Sequence, residues 1–242
     1  METNKLIEIN NVKKANRALN TLLSRTKSEN VGLGLFYGRP GLGKTRWAIK
    51  TAIKHDYVYF QLVKNVTLKT FLKHLLVAIK YCGHTADDIR GTAKQVYDQI
   101  LDHIQSQTDC VIFIDEIDYA FENRNIIATI RDLADQSFAT FVLIGMQNAK
   151  VKLRQLNSHY FDRCNAFCEF KDLTLQETDD IIKALCDVKL DPESVKTIYH
   201  KTNGTMRQIN KYIDLIERIA NKLDKKELSF KELKEVFVHT EN

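Results

Sequence analysis

The sequence predicts an α/β protein in which a parallel sheet is sandwiched by helices and is followed by a smaller, all-helical domain. Apolar runs typical of buried strands alternate with helical patterns over residues 31–170, and this alternation favours a parallel sheet with helical crossovers. From Asp172 onwards only helical patterns follow. A glycine-rich turn at residues 38–45 joins the first strand to its helix, which is the context of a phosphate-binding loop.

The periodicity of the apolar residues sets the predicted elements. An amphipathic helix at residues 10–25 precedes the sheet; we expect it to cover one edge of the ligand pocket, with a free interaction arm as the alternative. Residues 1–30 are assigned to this segment, 31–170 to the sheet domain and 171–242 to the helical domain. Strands are predicted at residues 31–37, 57–62, 110–115, 138–146 and 164–170. Helices are predicted at residues 46–55, 67–80, 85–107, 122–135, 149–156, 175–186, 192–201, 205–222 and 229–237.

The composition is that of an ordinary globular protein. Hydrophobic residues make up 44% of the chain and charged residues 28%, which argues against global disorder. No apolar run approaches membrane-spanning length and the polar start does not resemble a signal peptide, so we expect a cytoplasmic protein without membrane contact. The five cysteines form no C-x-x-C pair. They favour buried reduced thiols, although the spacing of Cys164 and Cys168 is a weak metal signal.

The turn at residues 38–45 has the spacing G-x-x-x-x-G-K-[ST], which predicts a site for a nucleoside triphosphate. Glycines allow main-chain N–H groups to surround an anion, and the helix N-terminus adds a partial positive charge. We expect Lys44 to reach the β- and γ-phosphates and Thr45 to hold Mg²⁺. A turn without a ligand is the alternative. The expected nucleotide contacts are Gly38, Arg39, Pro40, Gly41, Leu42, Gly43, Lys44, Thr45 and Arg46.

Two acids follow the apolar run at residues 111–114, which is typical of a central buried strand. Ligands bind at the carboxyl ends of strands in open α/β sheets. Asp115 is therefore expected to hold the Mg²⁺ shell, directly or through water, and Glu116 to orient and polarise the attacking water. A charged strand end without chemistry is the alternative. Asp118 is expected to be a surface acid or a helix cap.

A polar amide follows the strand predicted at residues 138–146. Asn148 is the first choice, and Gln147 the second, for a side chain that contacts the γ-phosphate or the attacking water. The alternative is that Asn148 serves as a turn residue or as the N-cap of the next helix.

Three arginines are candidates for sensing the nucleotide. Arg163 precedes the last predicted strand and is a candidate arginine finger, which stabilises transition-state charge on the ATP of a neighbouring subunit. Arg154 is the weaker alternative for that role. Arg207 lies at a predicted helix start, where the helix dipole disfavours a cation, so we expect it to point back at the nucleotide. A surface arginine is the alternative for both Arg163 and Arg207.

Positive charge is concentrated in residues 44–80, which contain eight Lys or Arg and a single acid, Asp56. The whole chain carries a net charge of only +5. The local excess favours a surface for a polyanion such as nucleic acid. A solvated helix face, with Lys44 and Arg46 used on the nucleotide, is the alternative.

Together these motifs resemble those of AAA+ ATPases. GRPGLGKT resembles Walker A, VIFIDE Walker B, VLIGMQN sensor 1, Arg163 the arginine finger and GTMR sensor 2. The stretch LIGMQNAKVKLRQL, followed by an Arg-bearing turn and the F-x-x-L-T-x-x-E spacing of residues 170–177, resembles the group of MuB, TnsC and ExeA. Because residues 1–30 alone precede the first predicted strand, the chain resembles the minimal forms of that group.

The resemblance implies a transposition regulator that binds and hydrolyses ATP with Mg²⁺ and assembles with itself, as a ring or helical filament, on duplex DNA. A transposase would be recruited to this assembly or would disassemble it. The DNA contacts implied are Lys64, Thr67, Lys69 and Lys73, which would touch the backbone in a sequence-neutral and salt-dependent way.

Three other functions remain open. The first is a helicase loader or initiator-type ATPase, the second an ExeA-like ATPase acting on protein assembly, and the third an ATP-gated switch that hydrolyses little. A metabolic kinase is disfavoured, because the predicted helical domain with Arg207 suits communication between subunits.

Overall fold

A five-stranded parallel sheet forms the centre of the structure, a computed structural model that describes residues 7–27, 30–80, 84–107, 109–156 and 158–239. The strands are β1 (Leu33–Gly38), β2 (Val58–Gln61), β3 (Val111–Asp115), β4 (Thr140–Gly145) and β5 (Cys164–Phe170). Across the sheet the strand order is β2-β3-β4-β1-β5, so β4 separates β1 from β3. Every neighbouring pair is parallel, and the carboxyl ends of all five strands therefore lie at one edge.

Helices cover both faces of this sheet because successive strand residues point to opposite sides. The helices up to β5 are α1 (Asn10–Leu23), α2 (Lys44–His55), α3 (Leu68–Lys80), α4 (Ala93–Gln105), α5 (Arg124–Gln136), α6 (Ala149–Leu156) and α7 (Ser158–Asp162). Leu35 and Ile112 belong to a buried core shared with α3, α4 and α5. Phe36 and Phe113 face the other way, with ring centroids 5.1 and 5.5 Å from that of Trp47 on α2.

In the described residues after β5, four further helices enclose a separate core. Ile182, Ile198, Ile213 and Leu233 are among its buried side chains. The helices are α8 (Leu175–Leu185), α9 (Pro192–Thr202), α10 (Met206–Leu223) and α11 (Phe230–His239), and β6 (Lys189–Leu190) pairs with β7 (Glu227–Leu228). The sequence predicted helices alone here, because strands of two residues are too short to produce a periodic pattern.

The chain packs into two compact units. The sheet unit consists of Asn10–Gly38 and Lys44–Phe170. The helical unit contains Arg39–Gly43 together with residues 7–9 and 171–239. The middle of the predicted phosphate loop therefore packs with the helices that follow the sheet in sequence.

The predicted fold class is confirmed, and most predicted elements match within a few residues. The helix predicted at residues 85–107 is wrong over its first part, which is a 3-10 turn at Ala86–Asp88 followed by a break. Gly91 has a φ of +115°, a conformation that glycine adopts readily and that interrupts a helix. The α-helix starts only after Thr92, whose side chain forms a capping box with Gln95.

The predicted capping box at the start of α8 is present. The main-chain N–H of Glu177 donates to Thr174 Oγ1 at 3.2 Å, and the N–H of Thr174 donates to the Glu177 carboxylate at 2.9 Å. These bonds satisfy two N–H groups that the helix itself leaves without a partner.

The cysteines in the described residues are free thiols, and Cys82 lies outside those residues. Burial raises the pKa of Cys164 to about 12 and the pKa values of Cys110 and Cys168 to about 11. In the described part of the chain, no three His, Cys, Asp or Glu side chains are grouped to hold a metal ion. None of the helices that the structure describes is long and apolar enough to cross a membrane.

Candidate functional site

Lys44 begins α2 directly after the glycine-rich turn. Its side chain is buried, with the residue 8% exposed, and its Nζ donates to the Gly38 carbonyl oxygen at 2.7 Å. The ammonium group is therefore held at the carboxyl end of β1, in the first turn of a helix where an anion is favoured. Thr45 follows in the same turn and is exposed.

The middle of the loop is anchored within the helical unit. Gly41 and Gly43 have φ values of +82° and +94°, which other residues adopt at a cost. The Gly41 carbonyl oxygen accepts the main-chain N–H of Arg207 at 3.0 Å. A Cβ on Gly41 would lie 3.1 Å from the Arg207 Cβ. The start of α10 is thus bonded to the loop, and the Arg207 side chain is exposed.

The remaining loop residues differ in their surroundings. Arg39 Nη1 lies 2.8 Å from a carboxylate oxygen of Asp172 in the helical unit, and both side chains are partly exposed. Pro40 is exposed, Leu42 is buried, and Arg46 is half-buried on α2. A nucleotide contact by Arg39 would therefore compete with an ion pair that the chain already makes.

Asp115 is held at the end of β3 by two hydrogen bonds. The residue is 3% exposed. Its Oδ2 accepts the hydroxyl of Tyr59 on β2 at 2.9 Å, and its Oδ1 accepts the main-chain N–H of Glu116 at 2.7 Å. Burial raises the pKa of Tyr59, and the Asp115 carboxylate raises it further. The phenol thus remains a donor, which is what a buried carboxylate needs.

Glu116 has left-handed backbone angles, with a φ of 55° and a ψ of 41°. This conformation is uncommon for a residue with a long side chain. Strained backbone of this kind occurs most often at functional sites, where the surrounding structure holds it. The side chain is half-buried.

Asp118 joins the end of β3 to the turn after β4. Its Oδ2 accepts the main-chain N–H of Met146 at 2.6 Å, and its Oδ1 lies 3.4 Å from Lys152 Nζ. The prediction of a surface acid or helix cap is wrong, because the side chain is only 13% exposed and bridges two segments. The turn that it holds carries Gln147 and Asn148, both exposed. Asn148 directly precedes α6, and its carbonyl oxygen accepts the N–H of Lys152 at 2.9 Å.

Arg163 lies at the opposite edge of the sheet from the phosphate loop. It directly precedes Cys164, which pairs with Leu33 at the start of β1. The six residues of β1 separate the two edges by roughly 17 Å, at about 3.3 Å per residue. Arg163 is 53% exposed and its Nε is 3.8 Å from Asp135. The guanidinium of the alternative candidate, Arg154, lies over the Phe161 ring.

The basic segment, residues 64–73, follows the carboxyl end of β2. Just before it, the main-chain N–H of Leu62 donates to the Asp115 carbonyl oxygen at 3.0 Å. Lys64, Thr67 and Lys69 are exposed and Lys73 is half-buried. Thr67 Oγ1 accepts the N–H of Thr70 at 3.2 Å, at the start of α3. The segment thus begins at the same edge of the sheet as the acids.

The groups at this edge suit a magnesium–nucleotide. The N-terminus of α2 favours an anion, and Lys44 supplies a cation held by the Gly38 carbonyl oxygen. Thr45 and Asp115 provide a hydroxyl and a carboxylate, the oxygen ligands that Mg²⁺ prefers. Mg²⁺ is usually bound by one or two protein oxygens, substrate phosphates and water, so this donor set fits.

A family model described as an AAA domain matches residues 26–153, which is more than half of the chain. The chain belongs to the AAA domain family. The matched region of this AAA protein contains the phosphate loop, both strand-end acids and the turn at Asn148. A comparison with curated proteins finds no match.

Solved structures of three other proteins have the same fold. The Aeropyrum pernix ORC1 protein, in complex with DNA, has a TM-score of 0.67 and 16% identity, over 99% of this chain and 68% of that chain. The Aeropyrum pernix ORC2 protein, in ADPNP–ADP complexes, has a TM-score of 0.69 and 16% identity, over 93% and 67%. A Thermotoga maritima RuvB mutant has a TM-score of 0.59 and 19% identity, over 95% and 68%.

The contacts of two side chains at this edge could not be predicted from the sequence. Tyr59 lies in a run of aromatic and β-branched residues that is typical of any strand. Its contact with Asp115 depends on the pairing of β2 with β3, which the sequence does not give. Asp118 follows the strand-end acids by two or three positions, and only the pairing of β3 with β4 brings it to Met146.

Proposed function

We propose that this AAA protein is a Mg²⁺-dependent ATPase that assembles with copies of itself on duplex DNA, with the bound nucleotide controlling the assembly. One observation carries the proposal: the buried Lys44, the held Asp115 and the start of the basic segment lie at one edge of the sheet unit. The groups that we propose for nucleotide chemistry and those that we propose for a polyanion are therefore adjacent in the sheet unit.

In this proposal the loop at residues 38–45 binds the phosphates through main-chain N–H groups and Lys44. Thr45 and Asp115 would hold Mg²⁺, which supplies charge neutralisation on the phosphates when bound. Glu116 orients and polarises the attacking water, and Asn148 contacts that water or the γ-phosphate. Arg207, whose main chain is bonded to Gly41, would contact the nucleotide held by the same loop.

Arg163 would act on the nucleotide of a neighbouring copy. A side chain at the amino ends of the strands cannot reach a loop that lies roughly 17 Å away along β1. Its exposure and its loose pairing with Asp135 leave it accessible to a second molecule. Hydrolysis would therefore depend on self-assembly.

Lys64, Thr67, Lys69 and Lys73 would contact the DNA backbone. Exposed lysines supply charge, and the capped N-terminus of α3 supplies main-chain N–H groups, both of which bind phosphates without reading the sequence. Proximity of the segment to Asp115 offers a route by which nucleotide state alters DNA affinity.

The biological role that we propose is regulation of a transposase, in the manner of the MuB, TnsC and ExeA group. Support comes from the strand-to-helix segment LIGMQNAKVKLRQL, in which β4 leads through the exposed turn into α6. We further propose residues 1–30, 31–170 and 171–242 as N-terminal segment, ATPase domain and lid.

An initiator-type or helicase-loading ATPase is the second candidate. The observation that favours it is the likeness of fold to the Aeropyrum pernix ORC1 protein in complex with DNA. If the protein bound single-stranded DNA in preference to duplex DNA, or bound a helicase, this second candidate would be supported.

Electron microscopy of the protein with duplex DNA tests the proposal. Rings or filaments on DNA are expected with ATP and not with ADP or without nucleotide. If no DNA-associated assembly forms at low salt under any of these conditions, the DNA-bound assembly is contradicted.

A further inference from the structure

Tyr59 contacts Asp115 from the neighbouring strand. In the register of β2 and β3, Tyr59 pairs with Phe113 and Gln61 pairs with Asp115. The phenol therefore extends along the sheet edge past its own pairing partner to reach the carboxylate, where the hydroxyl lies 2.9 Å from Oδ2. The hydrogen bond thus joins two neighbouring strands that are far apart in the sequence.

The two hydrogen bonds on Asp115 together define the orientation of its carboxylate. Oδ1 is held by the N–H of Glu116 and Oδ2 by Tyr59, so rotation of the carboxylate would break both bonds. The N–H belongs to the main chain and cannot be varied by substitution. Among the residues that the structure describes, Tyr59 is thus the side chain that hydrogen-bonds the carboxylate.

We propose that Tyr59 is a positioning residue for the metal: it fixes the Asp115 carboxylate so that its remaining lone pairs face the Mg²⁺ shell. This inference rests on the proposed function, because it assigns Asp115 to Mg²⁺. Groups that hydrogen-bond a ligating carboxylate orient it, and their loss typically weakens metal binding by about 10- to 100-fold.

If Tyr59 positions the metal ligand, its substitution should affect Mg²⁺ binding and leave metal-free ATP binding unchanged. Tyr59→Phe removes one oxygen atom and retains the ring, so the strand and its packing should persist. The Mg²⁺ concentration that half-saturates ATP binding should rise about tenfold. The affinity for ATP in EDTA should not change, because the phosphate loop and Lys44 are untouched.

Isothermal titration calorimetry of the full chain with ATP, at a series of Mg²⁺ concentrations and in EDTA, measures both quantities. Tyr57→Phe is the matched control, because this residue lies two positions earlier and its ring stacks on His55 at 5.3 Å. The control should behave as the wild type in both conditions.

A raised Mg²⁺ requirement in Tyr59→Phe with unchanged affinity in EDTA supports the inference. An unchanged Mg²⁺ requirement, or an equal loss of affinity in EDTA, overturns it and leaves the proposed ATPase intact. A wild-type chain that binds no nucleotide at any Mg²⁺ concentration overturns the proposed function itself.

Discussion

The strand-end acids and the basic segment lie at the same edge of the sheet unit but are built in opposite ways. Asp115 is 3% exposed and both of its oxygens are hydrogen-bonded. Lys64 and Lys69 are exposed to solvent. Asp115 is thus desolvated and held by hydrogen bonds, whereas Lys64 and Lys69 are accessible and charged.

The difference follows from what each region would bind. Phosphoryl chemistry needs groups fixed in place in a low-dielectric setting, because orientation and field strength determine the rate. A DNA backbone needs only positive charge that water and salt can reach. Substitutions at the acids should therefore abolish a function, whereas substitutions in the basic segment should produce graded, salt-dependent losses.

The largest expected effect is at Arg163, which we propose contacts the nucleotide bound by a neighbouring copy. Arg163→Ala should lower the ATP hydrolysis rate by about 10³- to 10⁵-fold, the usual contribution of an arginine finger, while nucleotide affinity is retained. Phosphate release measures the rate. Mixing this variant with Lys44→Ala should restore part of the activity, because each supplies what the other lacks.

Arg154→Ala is the matched control for that experiment and should leave hydrolysis near the wild-type rate. Failure of the mixture to recover any activity, with both variants folded, would count against a finger supplied by a second subunit.

Glu116→Gln is expected to have the next largest effect. Loss of a general base typically costs about 10²- to 10⁴-fold in rate, and the amide keeps the size of the side chain. Hydrolysis should fall by that factor while ATP still binds and DNA-bound assemblies persist. Behaviour identical to the wild type would instead identify an ATP-gated switch that hydrolyses little.

Much of this edge could be predicted from the sequence, because its chemistry is encoded locally. The loop at residues 38–45 and the acids after β3 are contiguous motifs whose spacing predicts their roles. The strand order, and with it the contacts of Tyr59 and Asp118, depends on which strands pair, and pairing is decided by packing across the sheet. Asp118 therefore could not be distinguished from a surface acid.

The helix predicted at residues 85–107 fails for a different reason. Its apolar stripe includes Ile89, which is buried at 8% exposure although it lies outside any α-helix. A buried apolar residue in a loop contributes to the helical periodicity in the same way as a buried residue in a helix. The conformation of Gly91, which ends the loop before α4, cannot be read from that periodicity.

Charge reversal in the basic segment should give a smaller, graded effect. Lys64→Glu with Lys69→Glu removes about two phosphate contacts, so the slope of log affinity against log salt should become less steep by about 1.8. Nucleotide affinity should not change. Anisotropy of a labelled duplex over a salt series measures the slope.

Lys222→Glu with Lys226→Glu is the charge-matched control, since both lysines are exposed in the helical unit. Equal losses in the two double variants would attribute DNA binding to overall charge rather than to this segment.

Asp118→Ala should lower the free energy of unfolding by about 1.5 kcal/mol, because a charged acceptor is lost from the Met146 N–H. It should also reduce the preference for ATP over ADP, since the turn carrying Asn148 is freed. Urea unfolding and calorimetry measure these two quantities. Lys152→Met removes the ion pair with Asp118 and the contact of the Lys152 ammonium with the Phe121 ring, and it should have little effect on either quantity. An effect equal to that of Asp118→Ala would attribute the coupling to Lys152 rather than to the Met146 hydrogen bond.

The smallest expected effect is the pH dependence of stability that comes from Cys164, a buried thiol at the start of β5. Burial raises the pKa of Cys164 to about 12, whereas the pKa of an unfolded thiol is about 8.5. Above that value the unfolded state loses its proton first, so the free energy of unfolding falls as pH rises. Between pH 8 and 9.5 this thiol should account for roughly 1 kcal/mol of the fall. Over this pH range the free energy of unfolding of the wild type, measured with urea, should fall by roughly 1 kcal/mol more than that of Cys164→Ala. Equal falls in the two proteins would indicate a hydrated site.

The most direct test of the link between the two regions is the affinity for one labelled duplex measured with ATP, with ADP and without nucleotide. In Glu116→Gln, which should retain ATP, the affinity with ATP should exceed that with ADP by at least about tenfold, a coupling within the usual range for linked sites. Equal affinities in the three conditions would contradict the claim that the buried site controls the basic segment.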